Sequence, residues 1–155
     1  SNQATPDVIE PAPTTEEAIS GPSEYEVMRT NSIAKKNRAI QTKLEKVISY
    51  TKQTMVAYMS EEDLNRLCTY VAEYSSGDTL QKITPVKVDS QLKSIDIMHF
   101  GWNIGKAFGI KRIHTATFIK NVFAHTLRDL EISTIERKMS HTESECYIKL
   151  QQLKE

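Results

Sequence analysis

The stretch Ser94–Leu127, SIDIMHFGWNIGKAFGIKRIHTATFIKNVFAHTL, constrains the fold more than any other part of the chain. It holds the single Trp, all four Phe and three of the four His. Ile97, Gly101, Ile104, Gly105 and Phe108 recur at steps of three and four, the period of a helix that buries one side. Ser94 is the expected N-cap, with Asp96 in the first turn where a negative charge suits the helix dipole. Gly101 and Gly105 each cost about 1 kcal/mol of helix propensity relative to Ala. A second helix backbone packed close against that side is the expected compensation. Gly109 stands where a left-handed C′ residue ends a helix. A second helix is expected from Ile113 to about Leu127, with Ile113, Ala116, Ile119, Val122, Phe123 and Leu127 inward. His114, Thr117, Asn121 and His125 form the opposite polar row, flanked by Lys111, Arg112 and Lys120.

A tight glycine turn between two short helices, the second presenting hydrogen-bonding groups outward, is the arrangement that reads a DNA groove. IGKAFGIKRIHTATFI at Ile104–Ile119 resembles the helix-turn-helix motif. Gly105 takes the small-residue position and Gly109 the turn glycine. The motif's usual apolar residue six places after the turn is Thr115 here, and Ala116 fits only with a turn one residue longer. The resemblance implies DNA binding, with Lys111, Arg112, His114, Thr117, Lys120 and Asn121 as the contacting residues. Arg112 and Asn121 can hydrogen-bond base edges, and Thr117 can touch a thymine methyl. The phrase LKSIDIMHFGWNIGKAFG also resembles small uncharacterised proteins encoded on bacterial mobile elements, a resemblance that implies no activity.

Charge adds to the DNA reading. The 155 residues carry 20 basic and 20 acidic side chains, yet the signs are segregated. Six carboxylates (Asp7, Glu10, Glu16, Glu17, Glu24, Glu26) precede Arg29 without one Lys or Arg. Arg29–Lys52 then holds seven basic residues against Glu45, and Gln91–Arg128 six against Asp96. Such asymmetry speaks of partners and not of fold.

Around the central pair the chain reads as mainly α. Residues 1–23, rich in Pro, Thr and Glu, are expected to be a disordered acidic arm. Residues 24–155 are expected to form one helical domain, its core at about 60–150. Ile33, Ile40, Leu44, Val47, Thr51, Met55 and Tyr58 predict a long basic helix over about 32–59. Asn37, Thr51 and Thr54 on its seam argue against a strong coiled coil. Ser60 followed by three acids predicts a helix start, with Leu64, Leu67, Cys68, Val71 and Tyr74 inward and a stop near Ser75. A short helix capped by Ser133 is expected late in the chain. Ile83–Val88 and the alternation of Glu145–Leu150 suggest two extended pieces, with a small two-stranded sheet as a possible pairing.

Catalytic and metal signatures do not emerge. The histidines at 99, 114, 125 and 141 match no zinc spacing, and no GxSxG or phosphate loop is present. A non-enzymatic protein without cofactor or metal is therefore expected, His99 being a satisfied, partly buried residue. Two unpatterned cysteines suggest reduced thiols and a cytoplasmic setting. No apolar run approaches a membrane span, so no membrane partner is expected. Two functions follow: a DNA-binding or regulatory accessory protein, or a protein-interaction module. The second would use the long basic helix as partner or homodimer surface.

Overall fold

A computed structural model describes residues 20–78, 80 and 82–154; the greater part of the expected acidic arm, residues 1–19, lies outside them. The described residues form five α-helices: α1 (Glu24–Met55), α2 (Glu61–Ser75), α3 (Ser94–Phe108), α4 (Arg112–Val122) and α5 (Ile132–Lys138). The protein is mainly helical. By contacts the chain divides into residues 1–39 and 40–155, so the division falls inside α1.

In the first unit, the helix starts at Glu24 because Ser23 caps it, its hydroxyl accepting the Glu26 N–H at 3.1 Å. Glu24 and Glu26 occupy the dipole-favoured first turn. Within Glu24–Ala39 every residue except Ala34 is exposed. The helix thus begins eight residues before the expected Ser32. It also ends earlier, at Met55, passing into a 3-10 turn over Val56–Tyr58.

In the second unit, Val47, Thr51 and Met55 carry the buried face of α1. Ser60 caps α2 by accepting the Asp63 N–H at 3.1 Å, and Leu64, Leu67, Tyr70, Val71 and Tyr74 are its buried residues. The aromatic centre is a chain of rings. Tyr50 stacks on Phe100 with centroids 5.9 Å apart, and Phe100 meets Phe123 edge-on at 5.9 Å. Tyr74 stacks on Phe118 at 4.2 Å.

The start of α3 differs from expectation. Lys93, not Ser94, is the N-cap, because the Asp96 carboxylate reaches back to accept the Lys93 N–H at 2.8 Å. Gly109 ends α3 as the sequence predicts, with φ +71° and its N–H bonded to Gly105 and Lys106 carbonyls. The two mid-helix glycines are explained by side chains of α4 rather than by a second backbone. A Cβ on Gly101 would stand 2.9 Å from Ile119, and one on Gly105 2.6 Å from the Thr115 hydroxyl. Thr115 is β-branched and stiff in a helix, so it yields poorly. Gly105→Ala is expected to cost about 2 kcal/mol through overpacking, whereas an open helical site would gain about 1 kcal/mol. Urea denaturation at constant m-value reads the sign; an unchanged or raised midpoint would contradict the contact.

In α4, Thr115, Ala116, Phe118, Ile119 and Val122 are buried while Ile113 is exposed. The helix stops at Val122, five residues short of the expected Leu127, and turns follow. The short helix begins one residue before Ser133, with Glu131 as N-cap.

The small sheet is not there: no strand occurs among the described residues. Both extended pieces find other partners for their backbones, which must be satisfied somewhere. Val86 donates to the Val122 carbonyl at 2.9 Å, and Lys87 to the Asp63 carboxylate at 3.1 Å. In the terminal piece, Tyr147 and Ile148 donate to one Asp96 oxygen at 2.7 and 3.0 Å. Gln151 donates to the Asn103 side-chain oxygen at 2.8 Å. Side chains of α3 have taken the place of a neighbouring strand.

Candidate functional site

Helices α3 and α4, joined by Gly109–Ile110–Lys111, form the unit on which the DNA reading rests. Spacing along α4 splits the six candidate residues into two groups. His114, Thr117 and Asn121 share one face by the helical period. Together with Tyr74, Asp78 and Ile83 they line a groove of about 580 Å³. His114 and Asn121 are exposed, and the Thr117 hydroxyl bonds back to the Ile113 carbonyl at 2.9 Å. Lys111 is exposed at the turn.

The two other cations are occupied elsewhere. Arg112 donates to the Ser140 hydroxyl at 2.9 Å and to the Glu136 carbonyl, at the C-terminal end of α5. Lys120 donates to the carbonyls of Leu127 and Arg128 at 2.8 and 3.3 Å. Both act as caps for carbonyls that helix and turn ends leave open. The structure therefore brings three polar residues together in a groove and turns two of the three flanking cations away from it.

The floor of this region is a hydrogen-bonded relay. Thr115 donates to the Lys111 carbonyl at 3.3 Å, which leaves its oxygen to accept from the Tyr74 hydroxyl. Burial drives the Tyr74 pKa up to about 12, the Thr115 bond opposing only in part. Phe118 is buried against Tyr74, so it offers no contact surface.

Three buried polar residues of α3 were missed by sequence reasoning as a set. Asp96, His99 and Asn103 follow one another at steps of three and four, and all three hold the chain's last stretch. Both ring nitrogens of His99 face carbonyl oxygens, Ile148 at 2.7 Å and His141 at 2.6 Å. Asn103 donates to the Tyr50 hydroxyl at 2.8 Å and the Lys149 carbonyl at 2.9 Å. A clue was available: α3 is apolar nearly all round, as a helix enclosed on every side must be, so its few polar groups had to face protein.

Nothing in the described residues gathers three or more His, Cys, Asp or Glu side chains around a possible metal. Burial pushes the Cys68 thiol up from its ordinary pKa, with Lys52 opposing, which disfavours the reactive thiolate. No described helix is long and apolar enough to cross a membrane. The chain is thus a mainly helical protein. No protein-family model matches it, and no match was found among curated proteins or solved structures.

Proposed function

We propose that the chain is a non-enzymatic interaction module that pairs with a second copy of itself through the first part of α1. The observation that carries this reading is the exposed apolar content of the first part of this helix. Tyr25 is 71% exposed, Met28 63%, Val27 44% and Ile33 43%. By the helical period Tyr25, Met28 and Ile33 share one broad side of the helix, with Val27 opposite, and exposed apolar side chains on a shared side mark interaction surfaces.

Charge selects both the partner and its direction. Glu24 and Glu26 lie at one end of this segment, Lys35, Lys36 and Arg38 at the other. Two copies side by side and antiparallel, crossing near Ser32, place each acidic end beside the other's basic end. Parallel copies would set Lys35, Lys36 and Arg38 against their own equivalents, which repels. Antiparallel pairing also opposes the two helix dipoles favourably. Groove reading by α4 is the weaker alternative, because Arg112 and Lys120 already serve backbone carbonyls.

Light scattering across a concentration series tests the proposal. The expected result is a dimer that Met28→Asp with Ile33→Asp converts to monomer. Glu24→Lys with Glu26→Lys should likewise prevent pairing. Mixing that variant with one carrying Lys35→Glu, Lys36→Glu and Arg38→Glu should restore it. A chain that stays monomeric at every concentration, while binding duplex DNA in a salt-dependent way, would return the function to α4.

A further inference from the structure

We propose that a pocket in the second unit, lined by Lys43, Lys46, Trp102, Lys106 and Lys154, binds a small phosphate-bearing anion. The pocket encloses about 560 Å³, a volume typical of small-ligand sites. Helix α1 contributes Lys43 and Lys46, one turn apart, and α3 contributes Trp102 and Lys106, again one turn apart. Lys154 comes from the stretch that α3 holds in place. Among the described residues, no acidic side chain lines the pocket. None of the ion pairs among the described residues involves these lysines.

Lys46 carries the argument. Its Nζ is shut off from solvent and has no hydrogen-bond partner, alone among the buried side-chain nitrogens and oxygens of the described residues. A buried ammonium without an acceptor is among the most unfavourable arrangements in a folded protein. Four lysines lining one pocket, with no counter-charge among the described residues, are completed by an anion that brings its own oxygens. The Lys106 ammonium lies 5.7 Å from the centre of the Trp102 ring. Attraction to the ring face restrains this long side chain beside the pocket.

Four positive charges set the class of ligand. A carboxylate offers one charge and two oxygens. A phosphoryl group offers up to two charges and three acceptor oxygens, so it engages several ammonium groups at once, and lysine is a regular partner for it. Linked phosphates match the charge more closely still.

Calorimetric titration and thermal melts of the full chain, with pyrophosphate and with ATP at matched ionic strength, test the assignment. Both anions should raise the Tm where added chloride does not. Lys46→Met should weaken binding at least tenfold. It should also raise the Tm of the ligand-free protein, since it removes the stranded ammonium. Lys106→Gln, at an exposed position, should weaken binding several-fold without disturbing the fold, and it decides the matter if Lys46→Met does not fold. ATP binding more tightly than pyrophosphate would identify a nucleotide, and equal binding the phosphate group alone; either supports the site. No response beyond that of chloride, or full binding by both variants, overturns it.

Discussion

Asp96→Ala is expected to unfasten the end of the chain and lower stability by about 4 kcal/mol, the combined effect of three charge-assisted hydrogen bonds. The Asp96 carboxylate is buried and accepts from Lys93, Tyr147 and Ile148. One bond caps α3; the other two anchor the terminal stretch. Alanine leaves all three N–H groups without that acceptor. In a chain of this size such a loss lowers Tm by roughly 10 °C. Amide hydrogen exchange at 147 and 148 should quicken even where the helices stay protected. Asp96→Asn, which keeps one acceptor oxygen, should fall between the two. A Tm within 2 °C of the parent for Asp96→Ala would show that the clamp contributes little.

The second large effect appears in alkali. Tyr74 ionises at about 12 in the folded protein and near 10 in the unfolded chain. Between those values the unfolded chain releases the phenolic proton while the folded one retains it, so stability falls as pH rises. The contribution is complete below pH 10 and lost by pH 12; two pKa units correspond to about 3 kcal/mol. Tyr50, also raised by burial though eased by hydrogen bonds from Asn103 and Thr54, adds in the same direction. Denaturation at pH 9, 10 and 11 should show a steeper decline for the parent than for Tyr74→Phe. Parallel declines would mean that the phenol is not held neutral by its surroundings.

What could be read from the sequence had local causes. Ser60 with its acids and Gly109 with its left-handed turn act within one helical turn, so residue type and spacing suffice. The glycines at 101 and 105 signalled a close approach, but not that Thr115 and Ile119 side chains would make it. The strand reading of Glu145–Leu150 failed for a non-local reason. Alternation describes the faces of an extended backbone and says nothing of who satisfies it. Here the partners are Asp96, His99 and Asn103, about fifty residues earlier. The candidate ridge on α4 was assigned by helical spacing, and its flanking cations by residue type alone. Long basic side chains fold back on open carbonyls as readily as they reach outward, and Arg112 and Lys120 do the former. The start of α1 at Glu24 was not legible, and its apolar side chains gain meaning only once they are seen exposed.

Because α3 grips the terminal stretch almost wholly by its amides and carbonyls, the grip is blind to most of what those residues carry. Tyr147, Lys149 and Gln151 are free to drift to nearly any type without loosening it. Proline at 147, 148 or 151 is the exception, for it lacks the one hydrogen that α3 reads. Relatives of this chain would therefore vary at those places while agreeing at Asp96, His99 and Asn103, and the tail's identity would be written in a helix that precedes it.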